Sequence, residues 1–150
     1  MPTIPNNDAD NVFLNINKEN RSKNPLVSCI APCYNEAKNL NELAQIIDQI
    51  FKNLKLRYEL ILVNDGSHDN TAAVAQSLLK KFPIKLIQLS RNYGKEIALS
   101  AGIDYAKGDC SILIDADLQH PPELITDFYQ HWLDGYDMVY GYREIGRAHV

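Results

Sequence analysis

The sequence predicts an α/β fold, a mostly parallel sheet with helices on both faces. Two observations carry this expectation. From Leu26 onward, short apolar runs of strand length alternate with longer stretches whose apolar residues recur at helical spacing. The polar, glycine-containing segments also cluster after the apolar runs, at the strand C-terminal ends where such sheets bind ligands.

Each element has its own signal. LVSCIAPC is an apolar run ending near Pro32, a strand of about six residues. NLNELAQIIDQIFKNL places Leu40, Leu43, Ile47, Ile50 and Leu54 at helical spacing, so it is an amphipathic helix. YELILVND is the second strand, broken at Asp65, Gly66 and Ser67. Asp69 and Thr71 open a second helix through DNTAAVAQSLLKKF, which Pro83 closes. IKLIQLS is the third strand, and GKEIALSAGIDYAKG the third helix, with Gly108 as its expected stop. CSILIDAD is the fourth strand. Pro121 and Pro122 suit the first turn of a helix through PELITDFYQHWLDG, and DMVYGYR is a fifth strand. No internal repeat or low-complexity tract interrupts residues 26–143.

Composition bounds the function. The chain has 150 residues, 45% hydrophobic and 23% charged, as expected of one globular domain with a core. A net charge of −4 argues against a general nucleic-acid binder. No run approaches the roughly 20 apolar residues that span a bilayer. Residues 1–25 are polar and asparagine-rich, lack the pattern of a secretory signal, and are expected to form a poorly ordered tail. Cys29, Cys33 and Cys110 fit a reducing cytosol. Cys29 and Cys33 have no partners at zinc-type spacing and are expected to pack in the core. Residues 144–150, EIGRAHV, are expected to be a non-native extension. The codons GAG ATC GGA AGA GCA CAC GTC encode that peptide and contain a common sequencing-adapter string, and reading the native locus tests the idea.

Four segments carry chemistry. In SILIDADLQHPPEL, Asp115, Asp117 and Gln119 share one face if the strand stays extended past its end. They are hard oxygen donors suited to Mg²⁺ or Mn²⁺, which would offset the repulsion of the two carboxylates. The bland alternative is an acidic strand end facing water. In LVNDGSHDNT, turn and capping chemistry accounts for Gly66, Ser67, Asp69 and Thr71 but leaves Asp65 surplus, available to a base or ribose. APCYNEAKNL offers Pro32, Tyr34, Asn35 and Glu36, a ring to stack on a base beside polar groups to read its edge; alternatively it is an acidic helix start. SRNYGKEIALSAG sets Arg91 and Lys95 beside a helix N-terminus, either a phosphate site or a solvated pair of charges. Arg143 follows the fifth strand as a further anion-binding candidate. There is no P-loop, no Gly-x-Gly-x-x-Gly fingerprint, no Gly-x-Ser-x-Gly and no paired-cysteine redox motif.

Taken in order, VSCIAPCYNEAKNL, LILVNDGSHDNT, LSRNYGKEIALSAGIDYAKGD, ILIDADLQHPPELI and DMVYGYR resemble a family 2 glycosyltransferase of GT-A (Rossmann-like) fold. Within that family they look most like the polyprenyl-phosphate glycosyltransferases, the group of dolichol-phosphate mannose synthases and bactoprenol glucosyltransferases. The resemblance implies that Asp115, Asp117 and Gln119 hold Mg²⁺ or Mn²⁺ on the donor diphosphate. It implies that Pro32, Tyr34, Glu36 and Asp65 bind the nucleoside, with Lys95 and Asp115 also on the nucleotide sugar. Asp117 and Arg143 are the expected catalytic pair, Arg143 binding phosphate near the acceptor. His120 stands where many relatives carry Asp or Asn.

The activity so implied is inverting, metal-assisted transfer of a hexose from a UDP- or GDP-linked donor to polyprenyl phosphate, within cell-envelope biosynthesis. An ionised phosphate acceptor needs no strong general base, whereas a sugar hydroxyl, the alternative acceptor, needs one. Residues 26–143 are then the nucleotide-sugar-binding part of a longer protein, cytoplasmic and at the cytoplasmic face of the membrane. A further alternative is a fragment that binds a nucleotide diphosphate without turnover.

Overall fold

The computed structural model describes residues 11–15, 24–118 and 123–141. In chain order the elements are β1 (Asn11–Asn15), β2 (Leu26–Cys33), α1 (Leu40–Leu54), β3 (Arg57–Asn64), α2 (Thr71–Leu78), β4 (Ile84–Gln88), α3 (Lys95–Tyr105), β5 (Cys110–Leu113), α4 (Glu123–Leu133) and β6 (Tyr136–Gly141). They fall into two compact units, Ser22–Leu124 and, separately, Met1–Arg21 with Ile125–Val150.

The unit Ser22–Leu124 is built on a four-stranded sheet in the order β4-β3-β2-β5, parallel throughout. Ile30 lies in register with Ile61 on one side and Leu113 on the other. The order explains the helix layers. The crossovers through α1 and α2 step one way along the sheet, while α3 carries the chain from β4 at one edge to β5 at the other. With right-handed crossovers, that reversal places α3 on the opposite face. There α3 packs on β2 and β3, where Ile30, Ile61, Val63 and Ala98 form a fully buried cluster. Gly102 permits the close approach, since a Cβ at that position would lie 2.4 Å from an Ile30 methyl. Alternation along the strands turns Cys29, Leu60 and Leu62 to the other face, where α1 and α2 pack against each other and on β3. The parallel sheet with helices on both faces is the architecture expected from the sequence.

Several local expectations are corrected. The buried stripe of α1 is Leu40, Leu43, Ala44, Ile47 and Phe51, not a stripe through Ile50 and Leu54. Phe51 replaces Leu54 because its ring stacks on Tyr58 at 4.8 Å, an arrangement set by β3. Helix α2 ends at Leu78, short of Phe82. Helix α3 ends at Tyr105, so Gly108 is not its stop; an added Cβ there would lie 2.5 Å from Ser28 Oγ. Strand β5 is only four residues long.

At the N-terminal edge of the sheet, Glu59 gathers four segments. Ser28 Oγ donates to its Oε2 at 2.6 Å and the Lys107 N–H at 2.7 Å, while Lys85 Nζ pairs with Oε1 at 2.7 Å. Burial pushes this carboxyl up, but the bonds from Lys85, Ser28 and the Lys107 N–H together hold it below its ordinary value.

In the other unit β1 pairs antiparallel with β6 from Asn11 opposite Gly141 to Asn15 opposite Tyr136. Within the segment expected to be a disordered tail, residues 11–15 are thus a strand. DMVYGYR does supply a strand, but its partner is β1 and not the parallel sheet. Helix α4 buries Ile125, Tyr129 and Trp132 at helical spacing. Its proposed opening at Pro121 and Pro122 lies outside the described residues. Among the described residues no helix is long and apolar enough to cross a membrane.

Candidate functional site

Because β2 to β5 run parallel, their C-terminal ends share one edge, and the loops after them meet there. The chain order reverses at β2, which lies between β3 and β5. Such a reversal of strand order is the position at which open α/β sheets bind ligands.

The loop after β2 is locked to the loop after β3. Asn35 sits in the left-handed region at φ 55°, a conformation asparagine tolerates better than most residues. Its Oδ1 accepts the His68 N–H at 2.8 Å, and its own N–H donates to Ser67 Oγ at 2.9 Å. The N-cap position of α2 is Asn70, without a side-chain cap bond; Asp69, one residue earlier, accepts the Thr71 N–H on Oδ1 at 2.9 Å, whereas Ser67 serves the neighbouring loop. Glu36 lies ahead of α1 and not in its first turn; its N–H donates to Thr71 Oγ1 and its Oε2 accepts from Asn39 Nδ2 at 2.7 Å. Tyr34 is left 43% exposed, with His68 edge-on to its ring at 6.3 Å. Pro32 is the penultimate residue of β2, half-buried and opposite Val63.

Asp65 is the hub of the site. It is only 3% exposed, and its carboxylate binds the loop after β4: Oδ1 accepts the Tyr93 N–H at 2.8 Å, and Oδ2 accepts the Gly94 N–H at 3.0 Å and Asn92 Nδ2 at 3.2 Å. Gly66 lets the two loops touch, because at φ 67° an added Cβ would lie 2.3 Å from the backbone of Arg91 and Asn92. Asp65 was surplus to capping, and the loop it holds is the reason. Sequence reading missed Asn92 altogether; its only signal was an asparagine next to a strand end. Arg91 stacks on the Tyr93 ring, 4.4 Å from the centroid, and the Ser90 hydroxyl and Arg91 hold the Tyr93 phenol below its ordinary value.

Past β5, residues 116–118 turn, with Leu118 at φ 64°. Extended alternation therefore does not align Asp115 with Asp117, as the sequence had suggested; the strand ends at Leu113 and a turn takes over. Asp117 is exposed in that turn. Asp115 Oδ1 is ion-paired with the ammonium of Lys95, the first residue of α3. Gln119 and Arg143 lie outside the described residues. Cys29 and Cys33 are buried and pack in the core; burial, and then the nearby Glu36, push the Cys33 thiol up to about 12.

No group of three or more His, Cys, Asp or Glu side chains gathers around a point among the described residues. Two carboxylates, Asp115 and Asp117, lie past β5, and Asp115 engages the Lys95 ammonium. Such a set fits a hard divalent ion whose other positions are filled by water and a ligand's phosphate oxygens, not an all-protein cage.

Residues 28–148 match the family described as Glycosyl transferase family 2. An uncharacterized glycosyltransferase of Synechocystis sp. is 50% identical over 118 residues, covering 78% of this chain and 37% of its own length. The dolichol-phosphate mannosyltransferase of Pyrococcus furiosus is 40% identical over 119 residues, 79% of this chain and 33% of its own. The chain thus spans roughly a third of the length of these relatives. Among solved structures, S. aureus TarS 1-349 in complex with UDP-GlcNAc is similar with a TM-score of 0.57 at 26% identity, over 69% of this chain and 30% of that one. The mannosyltransferase PcManGT from Pyrobaculum calidifontis, in complex with GDP-Man and Mn²⁺, shares the fold with a TM-score of 0.53 at 23% identity, over 75% and 33%.

Proposed function

The chain belongs to glycosyl transferase family 2, and from that premise we propose that it is the nucleotide-sugar-binding part of an enzyme that transfers a hexose, with inversion, from a UDP- or GDP-linked donor to polyprenyl phosphate. One observation carries the reading. A carboxylate two residues past β5 and an ammonium at the start of α3 meet at the ligand-binding edge of the sheet, beside a helix N-terminus. That combination suits a metal-bound diphosphate. The name of the Pyrococcus furiosus relative supports the acceptor class, and the TarS complex supports a nucleotide-sugar donor.

Each residue then has a task. The exposed ring of Tyr34 stacks on the base, and Pro32 shapes the end of β2 beneath it. Glu36 faces the ribose. Asp65 has three of its acceptor positions filled by the 92–94 loop and offers the fourth, on Oδ1, to the nucleoside. Asp115, Asp117 and Gln119 hold Mg²⁺ or Mn²⁺, an assignment that for Gln119 rests on the family resemblance. The bound ion would stabilise negative charge as it develops on the departing diphosphate. Lys95 and Arg143 add positive charge, Arg143 toward the acceptor. A phosphate acceptor arrives ionised, so no side chain is required to remove a proton. A lipid-linked acceptor puts the reaction at a membrane, and donor supply favours its cytoplasmic face.

Calorimetry with UDP and GDP, with and without Mn²⁺, tests the site. Asp117→Ala should lose metal-dependent nucleotide binding, and unchanged affinity refutes the ligand assignment. For the acceptor, the longer protein is given radiolabelled donor and polyprenyl phosphate; label that stays out of the lipid phase counts against it. A second reading follows from the chain spanning roughly a third of its relatives: these 150 residues bind the nucleotide without turnover. Binding without product in the same assay supports that reading.

A further inference from the structure

Lys95 is oddly placed for a residue that only stabilises its helix. A cation at the first position of α3 faces the positive end of the helix dipole, where acidic residues are favoured. Its position is nevertheless closely set. The two residues before it are tied by their N–H groups to the buried Asp65 carboxylate at 2.8 and 3.0 Å, and Gly94 turns the chain at φ 102°. From that anchored start the side chain reaches Asp115 Oδ1, across a separation of 20 residues. The pair is wet: the Lys95 side chain is 60% exposed and that of Asp115 25%. An ion pair so exposed is screened and readily exchanged.

We propose that Lys95 is a placeholder cation: it neutralises Asp115 while the site is empty and moves onto the ligand's diphosphate when Asp115 takes a divalent ion. The inference rests on the reading of Asp115 as a metal ligand given above. Its physical basis is that one carboxylate oxygen does not hold an ammonium and a divalent ion together without strong repulsion. Even with the ion on Oδ2, the two cations share one carboxylate, and their repulsion favours release of Lys95, whose long, exposed stem lets it move without disturbing α3. A nucleoside diphosphate gives the released ammonium a new partner beside the same helix N-terminus. The consequence is a coupling: divalent ion alone binds weakly, nucleotide strengthens it, and by linkage the ion strengthens nucleotide equally.

The test uses the 150-residue chain in low-salt buffer, with calorimetric titration of Mn²⁺ alone, of UDP or GDP alone, and of each in the presence of the other. Lys95→Met should bind Mn²⁺ alone about threefold to tenfold more tightly than the parent. The strengthening of Mn²⁺ by the nucleotide should shrink by a similar factor. Lys95→Arg keeps the charge and should keep the parent's weak binding of Mn²⁺ alone. Circular dichroism and melting of each variant accompany the titrations, because a merely structural lysine would lower the melting temperature and leave Mn²⁺ affinity where it was. Equal or weaker Mn²⁺ binding by Lys95→Met, in a parent that binds Mn²⁺, overturns the placeholder role alone. So does Lys95→Arg binding Mn²⁺ as tightly as Lys95→Met. A parent that binds neither Mn²⁺ nor either nucleotide overturns the site reading and this inference with it.

Discussion

A carboxylate as buried as Asp65 needs donors in place of its water, and Asn92, Tyr93 and Gly94 supply them. The same bonds fix the start of α3 and with it the stem of Lys95. Asp65→Ala should therefore cost about 1–3 kcal/mol, since it leaves two backbone N–H groups without their acceptor. Urea unfolding measures this, and an unchanged midpoint would show that the loop re-forms on other partners. At this scale the sequence was informative about which residues matter and poor about what they touch. Asp65 stood out because capping did not need it, but its partners lie 27 to 29 residues away, beyond any local pattern. Asn35 shows the converse: a residue offered to a ligand by its chemistry spends its side-chain oxygen on the backbone N–H groups of His68 and Asp69.

Among the elements, α1 carries the clearest local conflict. It ends with Lys55 in the left-handed conformation at φ 56°, its N–H bonded to Lys52 O and that of Leu56 to Phe51 O, a turn that favours glycine. Lys55→Gly should stabilise the chain by about 0.5–1 kcal/mol, because it relieves the Cβ clash and gives up no side-chain bond of Lys55 among the described residues. A fall in melting temperature would contradict this. Strand β5 shows where periodicity runs out. The apolar run continues to Ile114 and suggested a strand carrying Asp115, but the ladder to β2 stops at Leu113 and the chain turns at 116–118. Local sequence does not reveal where a strand parts from its neighbour, and here β2 runs on to Cys33 without β5.

For the unit Ser22–Leu124 as a whole, Glu59 ties β2, β3, β4 and the loop before β5 at the edge opposite the site. Its folded value lies below the ordinary 4.5, so it contributes stability above that pH and loses it as the pH falls through the lowered value. Melting temperature should accordingly drop on acidification below about 4.5 more steeply in the parent than in Glu59→Gln. Parallel slopes would place the acid sensitivity elsewhere. Lys85→Met should flatten the same profile, because the first of the bonds that lower Glu59 comes from Lys85.

By itself the sequence determined the alternation of strands and helices, the edge at which ligand chemistry collects, and the family whose motifs fill that edge. These are local properties, written in hydrophobic period, turn residues and ordered motifs. Only the tertiary structure decided that Lys95 and Asp115 form an ion pair, that Asp65 clamps the 92–94 loop, that Phe51 displaces Leu54 in the core, and that residues 11–15 pair with β6. The reason is common to all four. Each joins segments distant in the chain, or depends on one element's packing against another. Such contacts are selected by the whole fold, which brings the groups together, and not by the residues next to them in sequence.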